Sequence, residues 1–405
     1  MHATVPRRIL PVIVLSQFAG TSLWFAVNAV LPDLQRAWSL PATALATVTS
    51  AVQLGFVAGT LVFALLMLAD RFRPTWVFLA CALLGALANA ALVLLQGNFQ
   101  LLVLLRFTVG FLLAGIYPVG MKIAASWYRE GLGAALGVLI GALVLGTALP
   151  HGLRALVGDG AGALPSMGGL APWQQVVLAV SVLAALGGIA TAWLVPDHGR
   201  GGGTRITPKA LGAIWSERKL RASVFGYFGH MWELYTLYAL VPVIIAVRWQ
   251  GERVSALAFW TIGAGALGCI GGGLLARRFG SARIAQWQLA TSCACCLLAP
   301  WMLQASAPVF VAWLLVWGIT VAGDSPQFSA LTARNAPAPV VGSVLTFTNC
   351  LGFAISVVSI ELFVRATATW PLATVLPWLA LGPVLGLLAL RPLAGFATWR
   401  PARSA

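Results

Sequence analysis

The sequence predicts an all-α membrane protein of twelve transmembrane helices, arranged as two six-helix, pseudo-symmetric halves. Three observations predict it. Of its 405 residues, 60% are hydrophobic and 9% are charged, against about 25% charged in soluble domains. The apolar residues form continuous runs, such as 79–95 and 176–195, each near the roughly 20 residues a membrane helix needs. The string Ala69-Asp70-Arg71-Phe72 returns 207 residues later, about half a chain on, as Ala276-Arg277-Arg278-Phe279. A mean hydropathy of +0.91 excludes both a water-soluble globule and a disordered chain. A transmembrane β-barrel would alternate apolar and polar positions, and these runs do not.

Twelve spans are expected, over 9–31, 43–68, 75–96, 99–121, 132–156, 173–195, 221–247, 255–276, 284–304, 308–330, 341–364 and 372–391. Breaker residues punctuate them, as in Asp70-Arg71-Phe72-Arg73-Pro74 and Asn335-Ala336-Pro337. Arg7 and Arg8 before the first run imitate a signal peptide. The run continues past the usual length without a small-x-small cleavage site, so it is expected to stay as span 1. The most polar stretch, 196–219, contains Gly201-Gly202-Gly203 and is expected to be a flexible cytoplasmic linker. It divides an N-terminal half, 1–195, from a C-terminal half, 220–405.

Orientation follows from the basic residues. With the N-terminus inside, nineteen of the 25 Lys and Arg fall on the inner side or at the inner end of span 4, five fall outside, and Arg106 lies within a span. The positive-inside rule then places both termini in the cytoplasm of a bacterial inner membrane. That placement also answers the net charge of +15: it orients a membrane protein and does not mark a nucleic-acid binder. The six cysteines, Cys81, Cys269, Cys293, Cys295, Cys296 and Cys350, all sit in apolar runs and read as small buried hydrophobes. The Cys293–Cys296 cluster has no His, Asp or Glu close in sequence, so no metal is expected. There is no Gly-rich phosphate loop, no His-Glu-x-x-His and no serine elbow, so neither ATP drive, nor catalysis, nor a cofactor is expected.

The chain resembles the major facilitator superfamily of secondary transporters. Leu68-Ala69-Asp70-Arg71-Phe72-Arg73 is similar to its loop motif between spans 2 and 3, with Arg73 where a glycine is usual. Gly273-Leu274-Leu275-Ala276-Arg277-Arg278-Phe279-Gly280 is a second copy, with Arg277 where the acid usually sits. Arg106 followed by Gly110 resembles the buried-arginine motif of span 4. Gly137, Gly141, Gly146, Pro150 and Gly152 loosely resemble the span 5 motif of its antiporters. Strings around Thr21, Tyr227 and Asp324 are similar to a bacterial branch of nitrate/nitrite- or cyanate-type permeases. The resemblance implies alternating access, a cavity lined by spans 1, 4, 7 and 10, and gating by Asp70, Arg71, Arg73, Arg277 and Arg278.

Polar groups inside spans are costly and therefore mark candidate sites. Arg106 offers a fixed charge and a planar donor fork, for an anionic cargo or for a scaffold between helices. Lys122, near a span end, is expected to snorkel. His230 and Glu233 stand three apart on span 7 and share a face, so His230 is expected to orient Glu233 as a proton carrier, with Tyr227, Trp232 and Tyr235 nearby. Asp324, before Ser325 and Pro326 in span 10, is a further proton site or the partner of Arg277 or Arg278. A proline there frees a backbone carbonyl. His151 reads as a packing residue. Gln17, Thr21, Trp24 and Asn28 recur at helical spacing on span 1 and are expected to line the cavity, with Asn349 of span 11. Gly55/Gly59, Gly137/Gly141 and Gly268/Gly272 are spaced for close helix packing. The expected activity is proton-coupled transport of a small inorganic or organic anion by a monomer. The alternative is proton-antiport efflux of an apolar or cationic compound. A transporter-like sensor or an assembly partner for another membrane protein ranks below both.

Overall fold

Continuous apolar sequence produces long helices, because inside a bilayer the backbone must satisfy its own hydrogen bonds. The computed structural model describes residues 6–128, 132–158, 169–196, 207 and 209–393. Expectations about Arg129, Gly201, Gly202, Gly203 and the chain ends lie outside these residues.

Eleven helices or helix pairs among the described residues are long and apolar enough to cross a membrane: Ile9–Trp38, Ala44–Leu65, Pro74–Leu94, Phe99–Trp127, Ala135–Val157, Pro172–Leu194, Arg218–Ala246, Glu252–Phe279, Ala307–Asn335, Ala338–Ala366 and Leu372–Leu393. Between the eighth and ninth of these lies Ser281–Met302, a helix of 22 residues. At about 1.5 Å per residue it covers the hydrocarbon core. Its Arg283, Gln286, Gln288 and Ser292 make it more polar than the others. With it as span 9, the helices are numbered spans 1 to 12 in chain order, and they fall where the sequence puts them.

Several spans are broken. Span 1 is two helices, Ile9–Thr21 and Ala26–Trp38. Span 4 is Phe99–Leu113 and Tyr117–Trp127, and its counterpart in the second half, span 10, is Ala307–Gly323 and Ser325–Asn335. Pro326 does not free a carbonyl in mid-helix as expected. It stands in the first turn of the second helix, where a missing N–H leaves nothing unpaired.

The halves use one packing device twice. A Cβ on Gly55 of span 2 would overlap the Phe107 carbonyl of span 4, and one on Gly110 would overlap that of Val52. In the second half, Gly268 of span 8 meets the Ile319 carbonyl of span 10, and Gly318 meets that of Thr261. Small residues let these backbones touch, which is how helices gain contact in a solvent as apolar as themselves. Gly137, expected to do the same, has nothing within 4 Å of the point a Cβ would occupy, whereas Gly141 faces Ile270 at 3.3 Å. Across the interface between halves, span 2 meets span 11 and span 5 meets span 8. Part of the expected flexible linker is ordered: Lys209–Ser216 forms a helix whose Ala210 and Ile214 pack on Leu220, Val224 and Val344.

Candidate functional site

Between the halves lies a cavity of about 30 Å³, room for about one water molecule. Tyr117 of span 4 and Ile140, Leu143 and Val144 of span 5 wall it from one side. Tyr227, Met231, Leu234, Tyr235 and Tyr238 of span 7, Ser325 and Ser329 of span 10, and Asn349 and Phe353 of span 11 wall it from the other. Among the described residues, no basic side chain lines it. Trp24 of span 1 stacks on Tyr235 at 5.7 Å and on Phe353 at 5.5 Å, and Phe56 of span 2 lies 4.5 Å from Phe353. This aromatic layer joins the two halves beside the cavity, and such ring pairs add to the burial of their area.

Two buried ionisable clusters flank it, both in the C-terminal half. In the first, His230 Nδ1 stands 2.8 Å from Asp324 Oδ1, both side chains shielded from solvent. The break in span 10 puts Asp324 there, at the end of Ala307–Gly323, facing span 7. In the second, Glu233 Oε1 accepts from Ser292 Oγ at 2.5 Å, from Trp317 Nε1 at 2.5 Å and from Cys296 Sγ at 3.2 Å. All three donors are neutral, and the other carboxyl oxygen, Oε2, has no partner. His230 Nε2 and the Tyr238 hydroxyl are likewise without hydrogen-bond partners.

Residues 13–360 match the Major Facilitator Superfamily. The chain belongs to this superfamily. Its structure is similar to that of the nucleoside transporter NupG, with a TM-score of 0.71 at 12% identity over 95% of this chain and 99% of that one. It is also similar to FucP, a major facilitator transporter in the outward conformation, with a TM-score of 0.67 at 14% identity over 94% and 97% of the chains. At such identities the likeness is one of fold. No curated protein matches the sequence. The protein is thus a multi-pass membrane protein with a transporter fold.

Several sequence expectations are corrected within this superfamily member. His230 does not orient Glu233. Although three apart, they reach different partners: His230 meets Asp324 at the break in span 10, whereas Glu233 meets Ser292 and Cys296 of span 9 and Trp317 in the first helix of span 10. Asp324 pairs with His230 and with neither Arg277 nor Arg278. Arg277 lines a cleft of about 450 Å³ with Gly137, Gly273, Pro326 and Gln327, and Arg278 lies 5.3 Å over the ring of its neighbour Phe279. Trp232 does not face the central cavity. It lies in an apolar groove with Leu362, Phe363 and Trp378. Lys122 does not snorkel: it pairs with Asp70 and donates to the Ala69 carbonyl at 2.8 Å. Arg71 and Arg73 are exposed. The Cys293–Cys296 cluster, isolated in sequence, has Glu233 beside Cys296 in space, and all six cysteines are free.

Arg106 is fully buried. Its Nη1 donates to the Leu23 carbonyl at 3.1 Å and its Nη2 to the Trp24 carbonyl. These carbonyls belong to the break in span 1, where no backbone N–H among the described residues reaches them. The guanidinium therefore replaces two missing helical hydrogen bonds.

The polar face of span 1 is partly structural too. Thr21 Oγ1 donates to the Gln17 carbonyl at 2.8 Å, the Gln17 side chain abuts Gly120, and Asn28 Nδ2 donates to Thr49 Oγ1 at 2.7 Å. Of the expected lining residues, Tyr227, Tyr235 and Asn349 do come together. Sequence reasoning missed Tyr117 and Trp317, and the roles of Ser292 and Cys296. A polar Trp317 and a Ser292 in otherwise apolar runs were the available signals. It also missed the ion pair that joins spans 1 and 5, Arg154 Nε to Asp33 Oδ2 at 2.7 Å.

Proposed function

We propose that this protein is a monomeric secondary transporter of a bacterial inner membrane that exchanges protons for a flat, uncharged or cationic organic solute by alternating access. The observation that carries this reading is the pairing of an aromatic, hydroxyl-bearing cavity, without a basic side chain among the described residues, with three buried ionisable groups on spans 7 and 10. An incoming cation and a proton would compete for the same buried negative charge, which is the simplest physical basis for antiport. Glu233 would be the main proton carrier, and the His230–Asp324 pair the second. The glycines of span 5, which include Gly141 against Ile270 and Gly152 against Phe259, support a sliding interface with span 8.

The anionic reading rests on Arg106 and on the branch resemblance. It loses support because both terminal nitrogens of Arg106 already serve backbone carbonyls. Solute binding requires the cavity to widen, so the halves must part along the contacts of span 2 with span 11 and of span 5 with span 8. Asp70 with Lys122, and Arg277 in its cleft, would lie at the mouth that changes.

The test uses purified protein in liposomes that enclose a pH-sensitive dye. Planar organic cations are added against a proton gradient, and a solute that raises the melting midpoint should also release protons as it moves. Solute flux without proton movement removes the coupling claim. Stabilisation and proton-linked uptake of nitrate, cyanate or a carboxylate would return the assignment to anions. The proposed cytoplasmic position of both termini is tested by a reporter active only outside the cytoplasm. Fused at Gly202 it should be silent.

A further inference from the structure

At the end of the bundle that carries the start of span 7 and the close of span 12, the two helices leave a groove of about 300 Å³. Ala222, Phe225, Ala389 and Pro392 form its apolar walls, and Arg218 and Arg221 stand over it. The two arginines are three residues apart on Arg218–Ala246 and therefore present their charges on one helix face. Arg221 donates to the Trp215 carbonyl, which fixes its stem at the rim. Arg218 is exposed and stands in ion-pair range of no acid among the described residues. Trp215, itself exposed, meets Phe225 edge-on at 5.7 Å. An exposed tryptophan at a span end belongs to the water–bilayer boundary. Lys219 and Arg391 add two more positive charges nearby, against the single acid Glu217.

We infer that this groove binds an anionic phospholipid, with its phosphate held by Arg218 and Arg221 and an acyl chain laid along Phe225 and Ala222. The two parts of the site match the two parts of that molecule. A basic rim at the boundary takes the headgroup, and an apolar trough running into the hydrocarbon takes the tail. Basic pockets between helices at this depth are suited to anionic headgroups. The site is independent of the cargo cavity and of which solute is moved.

The test uses the full chain in detergent, with phosphatidylglycerol or phosphatidylcholine added, and reads the retained lipid by native mass spectrometry and the melting midpoint. Phosphatidylglycerol should be retained in preference, and the double variant Arg218→Gln/Arg221→Gln should lose roughly tenfold or more of that retention, with phosphatidylcholine unaffected. Arg218→Lys/Arg221→Lys keeps both charges and should keep most of the binding. Arg7→Gln/Arg8→Gln, an equal loss of charge elsewhere, should change nothing. Equal retention of the two lipids by the parent overturns the proposal, as does parental retention in the double glutamine variant. Glycerol phosphate that stabilises as well as the lipid would make this a site for soluble anions and overturn it too. In the parent, the preference must also weaken in high salt, since charge attraction at a surface is screened. A preference indifferent to salt overturns it even where the glutamine variant does not fold.

Discussion

In the N-terminal half the charge buried deepest in the spans is Arg106, and both of its terminal nitrogens are bound to the carbonyls of Leu23 and Trp24. In the C-terminal half the acids and histidine buried in the spans, His230, Asp324 and Glu233, are met by side chains; Arg106 Nε, His230 Nε2 and Glu233 Oε2 each lack a partner. The two halves share one helix order and one glycine crossing, so the fold does not impose this difference. It teaches that a buried charge is read by what its donors and acceptors do. A charge whose partners are backbone groups of a broken helix is part of the scaffold, since its removal leaves carbonyls orphaned. A carboxyl held by neutral side chains, with one oxygen spare, can change its proton without unfolding anything.

The comparison can be broken most directly at Glu233. Glu233→Gln keeps the shape and removes the titration, so gradient-driven transport should fall to background while exchange between equal pools persists. Full accumulation in this variant would move the coupling to the His230–Asp324 pair. Asp324→Asn should then show the same split, with His230 left facing a neutral amide.

The next effect is on stability. Arg106→Gln orphans at least one of two buried carbonyls, each worth about 1–3 kcal/mol, and should lower the melting midpoint clearly. Cargo affinity, measured on the folded fraction, should hardly change. A folded Arg106→Gln protein with normal stability and lost binding would restore the arginine to the cargo site. Arg106→Lys, with a single donor centre in place of the fork, should fall between the two.

The glycine crossings sharpen the symmetry. Gly110→Ala and Gly318→Ala each push a methyl into a backbone carbonyl of the partner span, so both should cost folded yield by similar amounts. Gly137→Ala, with open space around it, should be neutral in yield and midpoint. A large loss in only one of the first two would show that the halves tolerate separation differently.

The smallest effect is expected at Asp70→Asn. This pair with Lys122 is partly exposed, and such pairs contribute about 0–1 kcal/mol. Stability should barely move, and any change should appear in the transport rate.

By itself the sequence determined the twelve spans, their edges to within several residues, the halves, and the pool of intramembrane polar groups, because length, hydropathy and breaker residues are local properties. It also named Tyr227, Tyr235 and Asn349, which line the cavity; the two tyrosines, eight residues apart, share one face of span 7. Tertiary structure alone decided which polar group meets which. His230 and Glu233 share a helix face by spacing, yet His230 meets Asp324 at the break in span 10 while Glu233 sits among Ser292 and Cys296 of span 9 and Trp317 of span 10. Arg106 looks like a ligand for an anion until the break in span 1, more than eighty positions away in the chain, is seen to present it with two bare carbonyls. Partner choice depends on which helices pass on each side of a residue. That is set by backbone approaches such as Gly110 on Val52 and Gly318 on Thr261, between residues far apart in sequence, and no local pattern encodes it.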